Sequence, residues 1–203
     1  KEIDSLEDYK GLKIRMPGLG GEVLRKIGAA AINLPGGEIY SALQSGAIDA
    51  TEWVGPWNDL AFGFYKVTKY YYYPGFHEPG TTLSSAVNLK VWEGLSSSHK
   101  AIVSSAMSAE NDVALAEFNA KNNGALNTLV NKHKVKVRKF SDEVMNAIGK
   151  RAGEVVAEAG ASDALTGKVY DSFLKFRKNA IGWSKLSDQA YWDARLLPFK
   201  YGK

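Results

Sequence analysis

Between residues 11 and 55, glycine and proline divide the chain into short apolar runs whose spacing suits a strand–helix–strand alternation. Residues 13–16 (KIRM) read as a strand that stops at Pro17 and Gly18. Gly20 and Gly21 open a helix with Val23, Leu24 and Ile27 on one face, and Gly28 ends it. Residues 30–33 read as a second strand. Pro35, Gly36 and Gly37 start a second helix over residues 38–44, with Ile39, Ala42 and Leu43 inward and Gly46 as its cap. Residues 48–51 form a third strand. Such a β-α-β-α-β run with short loops implies an α/β fold with a parallel sheet and right-handed crossovers.

Parallel sheets bind ligands outside the carboxyl ends of their strands, and the chemistry-bearing residues fall there. Arg15 lies near the end of the first strand, with Glu52 and Trp53 after the third. A guanidinium fork matches a carboxylate with two parallel hydrogen bonds; the plainer alternative for Arg15 is a surface salt bridge. Glu52 suits a cation or a ligand hydroxyl, and Trp53 a pocket wall, although a glutamate there can simply be solvated and a tryptophan can be core. Glu78, in the tight segment 75–80, is a hard oxygen ligand fit for Na+ or Ca2+. Asn58 and the four consecutive tyrosines at 70–73 are further sources of pocket hydrogen bonds, the tyrosines being better suited to hinge or core packing. His77 is set aside as a catalytic group: His77, His99 and His133 lie far apart in sequence, and no HExxH spacing occurs. The run GLGG at 18–21 lacks both phosphate-loop patterns.

Beyond the opening alternation, residues 56–65 read as a short helix, 70–73 as a strand and 81–88 as another. From Ser96 the chain is largely helical to about Lys132. A basic strand follows at 135–138, with lysines facing water as on a guarded edge. Ser141 caps a helix reaching about Ala159, Gly160 breaks it, and residues 163–189 read as one long amphipathic helix. Its aromatic stripe reads as core packing, with a dimer interface as the alternative, and the last dozen residues as a tail that packs on something.

The 203 residues suffice for one sizeable domain or two small lobes. Apolar content of 45% excludes disorder on compositional grounds. The net charge of +4 raises nucleic-acid binding, but the densest basic run is that edge strand, so no nucleic-acid partner is expected. With no cysteine, thiol chemistry and cysteine-based zinc sites are excluded. The charged N-terminus lacks a signal-peptide core, as in a mature form or a piece of something longer.

The run from Lys13 to Asp59, followed by YYYPGFHEPG, closely resembles the periplasmic solute-binding subunits of TRAP transporters, in the branch that binds 2-oxo acids and related monocarboxylates such as lactate. The specific parts are R-x-P-G, the block over residues 34–50, and E-W-x-G-P. The resemblance implies a periplasmic binding-protein fold of the class II type. It implies Arg15 on the substrate carboxylate, Glu52 and Trp53 closing around ligand and cation, and Glu78 completing a Na+ or Ca2+ site. It also implies membrane permease subunits as partners, a periplasmic location, and no enzymatic activity; a lyase or racemase using Arg15 and Glu52 is the alternative. On this reading residues 1–203 are the C-terminal part of a two-lobed protein whose N-terminal lobe is missing. Residues 11–55 are the α/β core of the second lobe, 56–95 crossing and hinge segments, and 96–203 a helical remainder. The helix at 163–189 is the candidate homodimer interface.

Overall fold

Strand β1 (Lys13–Arg15) is short because Pro17 has no N–H to continue a ladder and Gly18, at φ +59°, turns the chain. The computed structural model describes residues 1–78 and 84–200. Helix α1 (Gly18–Lys26) buries Val23 and Leu24. Its Gly21 must be glycine, since a Cβ there would lie 2.5 Å from the Met16 carbonyl oxygen. Gly28, at φ +100°, returns the chain to β2 (Ala30–Ile32). One 3-10 turn at Gly36–Glu38 leads into α2 (Ile39–Ser45), and Gly46 at φ +74° closes it with an N–H on Leu43 O. β3 (Ala50–Thr51) completes a parallel sheet in the order β2-β1-β3. Each strand is one or two residues shorter than its apolar run. At β3, the Ile48 amide turns back to Ala42 O at 3.2 Å, so Ile48 serves the helix end rather than the ladder.

The core beneath this sheet joins Ile39, Ala42, Leu43, Ile48 and Phe64, with Trp53 packed against it. Fully burying each large aliphatic side chain contributes roughly 1.5–3 kcal/mol. The site described below is therefore mounted on a rigid cluster.

Helix α3 (Pro56–Phe62) starts on a proline suited to its first turn, stops at Gly63 (φ +73°), and is followed by a 3-10 turn at Phe64–Lys66. Strand β4 (Tyr70–Tyr73) comes next. The strand expected at 81–88 is not found. Residues 81–83 lie outside the described residues, and 84–88 are exposed without regular structure. Asn88 instead caps α4 (Leu89–Gly94), its Oδ1 accepting from the Lys90 and Val91 amides.

Helix α5 (Ser97–Asn131), capped by Ser96, buries only Ala125 and Leu129, but its later turns receive α3. Trp57 meets Phe118 edge-on at 5.3 Å and carries Lys121 Nζ over its ring at 4.2 Å, while Asn122 Oδ1 accepts from the Trp57 amide. Strand β5 (Lys136–Lys139) pairs parallel with β4, Tyr70 opposite Lys136. Its Lys136 and Lys139 are exposed, as the edge-strand reading expected. Helix α6 (Asp142–Gly160) follows, with Ser141 Oγ accepting from the Val144 amide.

The chain forms two compact units, Lys1–Arg151 and Ala152–Lys203, divided within α6. In the second, Gly160 lies under the Tyr170 ring, where a Cβ would come within 2.6 Å. Asp163 caps α7 (Ala164–Leu186) through the Leu165 and Thr166 amides. The single helix expected over 163–189 is interrupted at Ser187, whose ψ of −94° leaves the helical path and whose Oγ donates to Trp183 O; α8 (Asp188–Arg195) follows. The aromatic stripe does not form core. Phe173, Phe176 and Trp183 are exposed, as are Leu196, Leu197 and Phe199 of the tail. No helix among the described residues is long and apolar enough to cross a membrane.

Candidate functional site

Register brings Arg15 and Glu52 together. Arg15 pairs with Ile32 on one side of β1 and Thr51 on the other, and the Glu52 amide extends the ladder by donating to Arg15 O. The next side chain out of β3 is thus held beside the last of β1. Arg15 is 9% exposed. Its Nε donates to Leu34 O at 3.1 Å, one Nη forms an ion pair with Glu52 Oε1, and its guanidinium lies 5.3 Å from the Trp53 ring centroid. Arg15 therefore holds a partner already, and that partner is a carboxylate.

Trp53 is fixed from behind. Its ring packs on Gly36, where a Cβ would sit 2.5 Å from Cη2, and against Phe62 at 5.2 Å. Its indole nitrogen is buried with no hydrogen-bond partner among the described residues.

A second segment reaches the same place from β4. His77 Nε2 lies 3.8 Å from Glu52 Oε2 and 3.8 Å from Glu78 Oε2. One ligand atom from each of Glu52, His77 and Glu78 falls within 4.8 Å of the others, a spacing that fits a shared cation. His77 Nε2 is buried with no hydrogen-bond partner among the described residues. Gly20 makes room for the imidazole, since a Cβ there would come 2.8 Å from Cδ2. Burial pushes the Glu52 carboxyl above the usual carboxylate range, and the Glu78 charge adds to this; His77 and Arg15 pull it back down.

These groups border a cavity of about 540 Å3, lined by Glu52, Trp53, Asp59, Tyr71, His77 and Glu78 among others. Arg15 and Asn58 do not line it. Arg15 stands behind Glu52, and Asn58 is held on α3 with its Oδ1 buried and without a hydrogen-bond partner among the described residues. Of the residues singled out in the sequence, Arg15, Glu52, Trp53 and Glu78 converge and Asn58 stands apart. His77, set aside for its isolation in sequence, is part of the cluster. Sequence reasoning passed over Asp59 as well. It is 7% exposed, and the Tyr71 hydroxyl donates to its Oδ2 at 2.5 Å. Burial raises its carboxyl to about 6, against the pull of the Tyr71 hydrogen bond. A polar pair, Asn58 and Asp59, set between Trp57 and Leu60 was the available signal.

Three parallel strands whose carboxyl ends bring a buried arginine beside a cluster of two carboxylates and an imidazole make this an α/β protein with its charged groups gathered at one end of the sheet. Residues 1–163 match the family model described as bacterial extracellular solute-binding protein, family 7, and the chain belongs to that family. It is 41% identical over 191 residues to a monocarboxylate 2-oxoacid-binding periplasmic protein of Nostoc, covering 94% of this chain and 52% of that one. Two solved TRAP periplasmic solute-binding proteins superpose with a TM-score of 0.89 each. That of Pseudoalteromonas atlantica, with bound sodium and pyruvate, is 40% identical and matches 98% of this chain and 60% of its own. That of Colwellia psychrerythraea, with bound calcium and pyruvate, is 41% identical and matches 96% and 59%. The α/β fold expected from the sequence is thereby borne out. The chain spans about half the length of the curated relative it matches and about 60% of the solved structures.

Proposed function

We propose that the chain belongs to the solute-binding component of a TRAP-type transporter, located in the periplasm, that captures a small monocarboxylate such as pyruvate or lactate together with Na+ or Ca2+. The observation that carries the reading is the Arg15–Glu52 ion pair, 11% and 18% exposed, beside His77 and Glu78. A ligand carboxylate that takes the Arg15 fork leaves the half-buried Glu52 charge without its partner, an arrangement that is strongly unfavourable. Charge balance then calls for a positive ion at Glu52, where Glu78 and His77 stand ready. A hard cation, when bound, offers coordination positions that the two oxygens of a 2-oxo or 2-hydroxy acid can chelate. Anion and cation sites built this close favour joint occupation.

Arg15 orients the carboxylate, and Leu34 O fixes the guanidinium plane through Nε. Trp53 walls the apolar side and excludes water. Indole nitrogen has no free lone pair, so any part Trp53 takes in holding a cation falls to its main-chain carbonyl. Asn58 is the remaining candidate ligand contact, through an Oδ1 that has no hydrogen-bond partner among the described residues. Residues 11–55 serve as the ligand-bearing α/β core and 56–95 as the segments that cross to it. The task is capture and release to membrane permease subunits, with no bond made or broken. The exposed aromatic face of α7 supports self-association through residues 163–189.

A thermal-shift screen of 2-oxo and 2-hydroxy acids, each with Na+, Ca2+ or chelator, tests the reading. An acid at about a hundred times its dissociation constant stabilises by about 2.7 kcal/mol. Stabilisation is expected with acid and cation together. Equal stabilisation in a Na+-free buffer with chelator, or none with any acid, rejects it.

A further inference from the structure

The cation cluster is assembled from two segments with no covalent bond near the site. Glu52 leaves β3, while His77 and Glu78 follow β4. Something must hold these segments at the spacing that lets their ligand atoms come within 4.8 Å. Asp59 lies seven residues after Glu52, and Tyr71 lies seven before Glu78. Their side chains meet: the Tyr71 hydroxyl donates to Asp59 Oδ2 at 2.5 Å. Both line the cavity that Glu52, His77 and Glu78 border.

We propose that the Tyr71–Asp59 hydrogen bond is a positioning latch that ties α3 to β4 and so sets the Glu52–Glu78 separation on which cation binding depends. The inference rests on the cation-linked capture proposed above. Three observations support it. Asp59 is 7% exposed, so its hydrogen bond with Tyr71 is largely shielded from bulk solvent. Adjacent strand residues face opposite ways, and Tyr72 is accordingly engaged elsewhere, its hydroxyl accepting from the Ile3 amide at 2.6 Å and its ring stacked on Phe140. Tyr71 is thus the β4 hydroxyl that meets α3. Finally, α3 is seated on α5 through Trp57 and Asn122, which makes it a firm anchor for the strand. Neither Tyr71 nor Asp59 needs to touch ligand or cation to act in this way.

The test is calorimetric titration of pyruvate at graded Ca2+ into the full chain and into Tyr71→Phe, Asp59→Ala, Asp59→Asn and the Tyr71→Phe/Asp59→Ala double variant. Circular dichroism checks folding; Tyr71→Phe keeps the ring, and Asp59→Asn keeps an acceptor for the hydroxyl. A hydrogen bond to a charged group is worth enough that Tyr71→Phe and Asp59→Ala should each raise the Ca2+ requirement on the order of tenfold. The double variant should lose no more than either single one, because both remove the same latch. Asp59→Asn should restore most of the affinity. Unchanged Ca2+ dependence in Tyr71→Phe and Asp59→Ala overturns the latch, as do additive losses. So does loss in Asp59→Asn with Tyr71→Phe intact, which would place the Asp59 charge itself at the ion. If the parent chain binds no pyruvate at any Ca2+ level, the capture reading fails and the latch with it; binding that the variants leave untouched overturns the latch alone.

Discussion

Asp59→Asn should make the protein more stable at neutral pH and remove a pH dependence that the parent carries. The Asp59 carboxyl is 7% exposed and titrates at about 6 instead of 3.8, because burial disfavours its charged form. A shift of this size corresponds to about 3 kcal/mol. The folded chain holds this proton more tightly than the unfolded one. The associated stability is therefore fully present below the unfolded value, near pH 4, and is lost as pH rises through about 6. At neutral pH the parent carries a buried charge that the amide variant lacks, while Tyr71 keeps an oxygen to which its hydroxyl donates. Urea unfolding of parent and variant between about pH 4 and pH 7, followed by tryptophan fluorescence, reads the difference. The gap in the variant's favour should widen with pH and approach about 3 kcal/mol at the upper end. Parallel stability curves, or a gap that narrows as pH rises, would mean that the buried Asp59 charge does not destabilise the fold.

Three further substitutions probe the site and its support. Arg15→Ala strips Glu52 of its partner and should lower stability by about 3 kcal/mol at neutral pH, measured by urea unfolding, in addition to abolishing carboxylate binding. Gly36→Ala places a Cβ 2.5 Å from Trp53 Cη2. It should cost roughly 1–3 kcal/mol, change tryptophan emission and weaken pyruvate binding, whereas an unmoved spectrum with full affinity would count against Trp53 as a fixed wall. Ile39→Ala empties a fully buried position beneath Trp53 and should destabilise by roughly 2–5 kcal/mol in the same unfolding assay.

The first sheet was legible because its signals are local. Pro17, Gly28, Gly46 and the apolar runs between them state where each element stops, and the parallel order follows from short crossovers. The meeting of Arg15, Glu52 and Trp53 was legible for the same reason: Arg15 ends β1, and Glu52 and Trp53 are the two residues after β3. The strand expected at 81–88 failed over 84–88, where Asn88 caps a helix instead of continuing an extended run. His77 and Asp59 were missed because their partners are distant in sequence. His77 looks isolated until β4 carries it to Glu52, and Asp59 looks like a surface helix residue until Tyr71 covers it. The aromatic residues of α7 followed helical periodicity and were read as core. Periodicity identifies the apolar face of a helix without stating what covers it.

The measurement closest to the central claim is a calorimetric titration of pyruvate into the chain in the presence of Ca2+, repeated in chelator and with Arg15→Ala. Binding should require the cation and disappear with the arginine. Binding of equal strength in a Na+-free buffer with chelator, or binding that survives Arg15→Ala, would overturn cation-linked capture at Arg15.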